Sequence, residues 1–273
     1  MVENVSTHPY LPPGLKLPCG YVENDKSILE ILGVFFGLTA VVMVSTWIYS
    51  GSNAKVKLST VYSASVVMVS TWIYSGSNAK VKLSTVQRLT VCWFVLCGCI
   101  HLILEGWFSV FHNSIAGDQS FLSQLWKEYS KADSRYVSAD AFALRGETAA
   151  DKKKEVKADT FTVVMETVTA WLEGPGCLLI AMGYVNNNPN RYVLQLLVST
   201  GQLYGTVLYI GNEVKDGFVH GLLWDPLYFW FYFVVINSPW VIFPTLLMVQ
   251  SCGRMIQAQA QMDKAAKGKK KKN

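Results

Sequence analysis

The sequence predicts an all-α, polytopic membrane protein: a bundle of five transmembrane helices around an intramembrane ligand cavity. Three observations carry this expectation. Of 273 residues, 51% are hydrophobic and only 16% charged, whereas soluble domains carry roughly a quarter charged residues. Five windows, 28–49, 89–111, 161–184, 192–210 and 227–249, reach the length that a bilayer core demands of an apolar helix. A few ionisable side chains fall inside those windows, where insertion costs about 2.5–3.5 kcal/mol each and such groups face a cavity rather than lipid.

Residues 1–27 form an N-terminal segment. Its "MVENVSTHPYLPPGLKLP" lacks the basic-then-apolar pattern of a cleaved signal peptide, so the first window serves as its own targeting signal. All five windows are read as helices, because a segment in hydrocarbon must satisfy its backbone polar groups internally. Two features interrupt the membrane domain, 28–249. The stretch "VVMVSTWIYSGSNAKVKLSTV" occurs at 41–61 and again, letter for letter, at 66–86. Solenoid repeats diverge while keeping a pattern; an identical copy indicates recent duplication or an error of gene assembly. The second copy is too short to span and is expected at the interface or poorly folded. The charged stretch 141–159, "AFALRGETAADKKKEVKAD", reads as a disordered or loosely helical loop. The fifth window opens with "LYFWFYF", which suits an interfacial aromatic belt. Pro239 is expected to kink that helix, since it cannot donate to the carbonyl of Val235.

Charge sets the orientation. The loop after the first window holds Lys55, Lys57, Lys80, Lys82 and Arg88 with no acid, the third loop holds Arg191, and the tail 250–273 is lysine-rich. Basic segments stay on the cytosolic side, so the tail is expected in the cytosol and residues 1–27 in the lumen. The net charge of +5 resides mainly in that tail, which disfavours nucleic acid as a partner. The six cysteines show no paired metal spacing and are read as buried small hydrophobes. A homodimer is compatible with the sequence but not required by it.

The polar residues inside the windows fall into groups. His101 and Glu105 are four apart, and Glu166 and Thr169 three apart, so each pair shares a helix face. Asn237 and Trp240 lie on the fifth window. Converging faces would enclose two carboxyls, an imidazole, an amide and an indole within apolar walls. In such a place a dry carboxylic acid can protonate an alkene. Carboxylates and aromatic faces stabilise the resulting cation, the latter by about 2 kcal/mol when desolvated, and a second group removes a proton from the neighbouring carbon. The double bond moves with no cofactor. Nothing in the chain resembles a glycine-rich nucleotide loop, a haem ligand pair or a zinc motif, so neither cofactor nor metal is expected. The same residues admit plainer roles: His101–Glu105 as a helix–helix clamp, Asn237 as packing glue, Trp240 as core or belt. Glu173, just before "GPG", is expected near the interface.

Several stretches in order, "HPYLPPGLKL", "IHLILEGWF", "FLSQLWKEYSKADSRY", "TVVMETVTA", "GQLYGTVLY", "DGFVHG" and "PLYFWFYFVVINSPW", together resemble the emopamil-binding protein family of sterol Δ8–Δ7 isomerases. The resemblance implies a five-helix protein of the endoplasmic reticulum membrane that moves the sterol ring double bond from 8(9) to 7(8) in sterol biosynthesis. It implies a sterol substrate in membrane lipid and inhibition by cationic amphiphilic drugs that mimic the carbocation. Residue by residue, it implies acid–base roles for His101 and Glu105, cation stabilisation by Glu166 with Trp240 facing the cation, and Asn237 orienting a carboxyl or the histidine. Thr169 completes the "METxT" match. Trp126, Tyr129, Asp133, Arg135 and Tyr136 are implied in substrate access or pocket support, with a surface ion pair as the plainer reading of Asp133 and Arg135. The repeat, the insert, Glu173 and Pro239 depart from the family pattern. Lysines third and fourth from the C-terminus resemble a retrieval signal for the endoplasmic reticulum. The alternative function is a non-catalytic sterol- or cationic-amphiphile-binding membrane protein. A transporter is disfavoured, because no inverted repeat of broken helices is evident.

Overall fold

A computed structural model describes residues 8–13, 15–51, 83–138 and 159–270. Every regular element among them is helical. α1 spans Ile28–Gly51, α2 Thr85–Phe111, α3 Phe121–Tyr129, α4 Thr160–Val185 and α5 Arg191–Lys215. The last span, Pro226–Gly268, divides into α6, Pro226–Val235, and α7, Pro239–Lys270. Five helices are therefore long and apolar enough to cross a membrane, as the five windows predict. Most of the second repeat copy and of the charged insert lie outside the described residues.

The helix starts are encoded locally. At α2, Ser84 accepts from the Gln87 amide and Gln87 Oε1 accepts from the Ser84 amide, a reciprocal cap that satisfies two otherwise orphaned donors. Asp159 accepts from the Thr162 amide at the start of α4, and Asp225 from the Leu227 and Tyr228 amides at α6. Three stretches widen into π-helix: Ile100–Glu105, Thr169–Glu173 and Pro226–Val235. Such bulges in membrane helices recur at functional sites. Pro239 opens α7 after a turn at residues 236–238, so the break falls before the proline, where its missing N–H costs nothing.

α2 packs against α1 and α4, and α5 against α4 and α7. One apolar core fills the half of the bundle nearest the α1–α2 and α4–α5 connections, around Phe94, Val95, Cys97, Ile180 and Ala181. A second, aromatic cluster occupies the opposite half, with Phe108, Trp126, Tyr136, Tyr209 and Phe233. Of α1, only Ile31 and Thr46 are buried, while Leu29, Val34, Leu38 and Ile48 on its outer face are exposed. Cys92, Cys97 and Cys177 are buried, whereas Cys252 is exposed, a departure from the expectation that all six are interior.

The N-terminal segment is more than a leader to α1. It lies across α3 and the connection before it: Lys127 Nζ donates to the Val22 carbonyl at 2.7 Å, Asn24 to the Gln124 carbonyl at 2.9 Å, and the Val22 amide to the Ala116 carbonyl at 2.9 Å. Lys127 is fully buried, and burial pushes its ammonium below the ordinary lysine value. The segment and α3 together form a roof over the aromatic half.

Candidate active site

Beneath that roof is a cavity of about 180 Å³ to which all five spans contribute. α1 supplies Ile31, Leu32 and Phe35, an apolar wall. The second span supplies His101 and Glu105 from its π stretch, the third Glu166, Thr169 and Glu173, and the last Asn237 and Trp240. α3 and the turn after it supply Trp126, Tyr129 and Tyr136. The separate groups legible in the sequence thus converge on one chamber. Asp133 and Arg135 do not reach it.

His101 is enclosed from both sides. Its Nδ1–H donates to Glu105 Oε2 at 2.6 Å, and its Nε2 lies 3.1 Å from the Gln202 side-chain nitrogen. With the amide nitrogen facing it, Nε2 accepts, which fixes the proton on Nδ1 and aims it at Glu105. Among the described residues the Gln202 oxygen has no partner. Rotating the amide would present that oxygen to an imidazolium, so Gln202 can serve either charge state of the ring. On the third span, Tyr136 donates to Glu166 Oε1 at 2.6 Å. Burial, then the neighbouring Glu166, pushes the Tyr136 phenol well above its ordinary value, so it stays a donor. Thr169 donates to the Glu166 carbonyl at 3.0 Å.

A profile described as EXPERA (EXPanded EBP superfamily) matches residues 121–251, from α3 into α7. A "3-beta-hydroxysteroid-Delta(8),Delta(7)-isomerase" from Rattus norvegicus is 41% identical over 97% of this chain and 96% of its own. The chain belongs to the emopamil-binding protein family. Also similar are a "Probable 3-beta-hydroxysteroid-Delta(8),Delta(7)-isomerase" from Oryza sativa subsp. japonica, 31% identical over 92% of this chain and 93% of its own, and "Isomeliandiol synthase ISM1" from Ailanthus altissima, 33% identical over 88% and 90%.

In this member of the emopamil-binding protein family, Asn237 differs from its expected role. Its side-chain nitrogen donates to the Tyr129 hydroxyl at 3.1 Å and to the carbonyls of Phe233 and Tyr232; it orients neither a carboxyl nor the histidine. The reason is local. The π stretch ends just before it, and the amide takes up carbonyls left over at that junction. Tyr129 lies 3.2 Å from the Tyr209 hydroxyl, and burial raises its phenol to about 12. Trp240 lines the cavity and meets Trp93 edge-on, with ring centres 5.7 Å apart.

Glu173 also departs from expectation. It is buried in the cavity wall, not at the interface, and its Oε2 has no partner among the described residues. The proline after it does not end the helix, because the π stretch closes where Pro175 lacks its N–H and the chain continues as α-helix to Val185. Gly201 makes room: any Cβ there would strike the Glu173 carboxylate.

Asp133 and Arg135 sit behind the cavity, buried at 0% and 4% exposure, which overturns the surface-ion-pair reading. Arg135 forms a forked pair with Asp133, at 2.9 and 2.6 Å, and stacks over the Tyr209 ring. Glu213 lies 3.6 Å from Arg135 and accepts from His220 Nδ1 at 2.7 Å. Burial alone would lower His220, but the Glu213 hydrogen bond and charge outweigh it and hold the imidazole above its ordinary value. Gly221 lies so close to the Ala132 carbonyl that no side chain fits there. This polar cluster locks residues 216–221 onto the turn that carries Tyr136.

Proposed function

We propose that the chain is a sterol isomerase that shifts the ring double bond from 8(9) to 7(8) in sterol biosynthesis, without a cofactor. The observation that carries this reading is the convergence of His101–Glu105 and Glu166 on one largely apolar cavity. The family relationship supports it, since near-full-length relatives bear that activity in their names.

The chemistry follows from the arrangement. A proton is delivered to C9, the bonding pair of the alkene forms the new C–H bond, and C8 carries the positive charge. Loss of a proton from C7 returns an electron pair to form the 7(8) double bond. The Glu105–His101 pair handles these protons, with Gln202 hydrogen-bonding the far side of the imidazole. Glu166, held by Tyr136, balances the cation, and the Trp240 face adds cation–π stabilisation of about 2 kcal/mol in a dry site. Thr169, Trp126 and Tyr129 shape the pocket. Asn237 acts through Tyr129, and Asp133 and Arg135 act by fixing the turn behind them. An amphiphile with an ammonium group would mimic the cation and bind the same carboxylates.

The lysine-rich tail and the basic loop around Arg88 support a cytosolic C-terminus, with residues 1–27, α3 and the cavity toward the lumen. Complementation of cells lacking sterol isomerase, with sterols read by mass spectrometry, tests the function. The chain is expected to restore Δ7 sterols, and Glu105→Gln and Glu166→Gln to abolish conversion while still inserting. Accumulation of 8(9)-sterol despite good expression of the unaltered chain would instead establish the binding-only alternative.

A further inference from the structure

Among the described residues, two polar atoms on the α3 and α6 side of the cavity wall lack a partner and are unused by the proton chemistry. Glu128, on α3, is buried and pairs through Oε2 with Lys131 Nζ at 2.6 Å, while its Oε1 has no partner. Tyr232, on α6, is 3% exposed, and its hydroxyl is buried without a partner. Both residues line the chamber. The Tyr232 ring is fixed by stacking on Tyr228, 5.9 Å away, and by an edge contact with Tyr129 at 6.1 Å.

Leaving such groups unpaired in a dry place is unfavourable, and native structures leave few of them. The pair is chemically specific. The Glu128 oxygen can only accept and the unused phenolic hydrogen can only donate. One aliphatic hydroxyl satisfies both at once, giving its hydrogen to the carboxylate and receiving one on its oxygen. A ketone satisfies only the tyrosine. A hydrocarbon satisfies neither. α3 and α6 carry none of the carboxyl groups assigned to proton handling, so a substrate held there by one end would leave its rings to α2 and α4.

We propose that Glu128 and Tyr232 form a hydroxyl-anchoring subsite that holds the 3β-hydroxyl of the sterol and so sets which ring carbon meets the acid. This inference rests on the sterol reading of the same cavity. A site built around a hydroxyl rejects analogues lacking it far more strongly than an apolar pocket rejects a missing methylene.

The test compares three 8(9)-unsaturated sterols in membranes containing the full chain: the 3β-alcohol, the 3-ketone and the 3-deoxy compound. The expected order of kcat/KM is alcohol, then ketone, then deoxy, with about 10³-fold or more between first and last. Tyr232→Phe should lower the value for the alcohol about 30-fold and bring the ketone down to the deoxy compound, while turnover of the deoxy compound is unchanged. Glu128→Gln should weaken the alcohol more than the ketone. Equal conversion of all three by the unaltered chain would overturn the subsite while leaving the isomerase reading intact. So would a uniform loss on all three in Tyr232→Phe. Conversion of none by the unaltered chain would overturn both.

Discussion

The two halves of this bundle are built from the same helices but solve different problems. The half around Phe94, Val95, Cys97 and Ile180 is packed closely with apolar side chains, with polar contacts such as Tyr184–Gln195 at 2.7 Å beside atoms, Trp93 Nε1 and Ser199 Oγ, that have no partner among the described residues. The half beneath α3 holds a cavity, three acids from the second and third spans, three π stretches at or beside them, and several unpartnered polar atoms. The first half gains its stability from packing. The second gives up packing to make room for chemistry, and relies on the roof and the Arg135 cluster to hold its shape. Substitutions should therefore divide by half: losses of stability alone in one, losses of activity, with or without stability, in the other.

The largest expected effects test that division. Phe94→Ala should destabilise the protein by about 3–5 kcal/mol through a cavity in the dry half, with turnover per folded molecule unchanged. Asp133→Asn leaves the buried Arg135 guanidinium without its full charge partner, at a cost of about 3–5 kcal/mol, and should lower both stability and turnover, because the turn bearing Tyr136 loosens. Thermal unfolding in detergent, read beside conversion per folded molecule, separates the two. Equal loss of turnover in both would blur the comparison beyond use.

A smaller effect is expected at Gln202. Gln202→Leu removes the partner of His101 Nε2, worth about 1–2 kcal/mol, or roughly fivefold to thirtyfold in kcat. It should also shift the pH profile of kcat, which a purely structural loss would not do. Unchanged kcat and pH profile would mean that Gln202 does not set the state of His101.

His220 gives a pH signature for the supporting cluster. Its partners are Glu213, Asp133 and Arg135. Because its folded value lies above the unfolded one of about 6.5, its stabilisation is complete below that pH and fades as pH rises through the raised folded value. The unfolding temperature should fall across that rise, and His220→Asn should flatten the slope. A slope of the same size in the variant would assign it elsewhere.

The smallest effect concerns the duplication. Deleting residues 62–86 joins Ser59–Thr60–Val61 to Gln87 and rebuilds the sequence of the Ser84 cap. Span orientation by glycosylation mapping should be unchanged.

The fold was legible because a lipid-buried helix announces itself by length and composition, and the positions of His101, Glu105 and Glu166 stood out as charges in apolar runs. What stayed hidden depended on geometry between elements. Gln202 did carry a signal, an amide at mid-span, but its role appears only once α5 lies against α2. Glu213 falls beyond the 192–210 window, and its pairing with His220 needs the chain reversal between α5 and α6. Glu173 was misplaced because "GPG" reads as a helix end, whereas a π stretch carries the helix through. Asn237 was assigned to the wrong partner, because nothing local reveals that Tyr129 folds over it.

The most direct measurement is isomerisation of an 8(9)-sterol by the unaltered chain in heavy water, with the product read by mass spectrometry and proton resonance. Delivery of an exchangeable proton from side chains in the cavity predicts a 7(8)-sterol carrying one deuterium at C9. A product formed at normal rate with no deuterium at C9 would mean that hydrogen moves within the substrate, and would contradict the assignment of His101, Glu105 and Glu166 to proton chemistry.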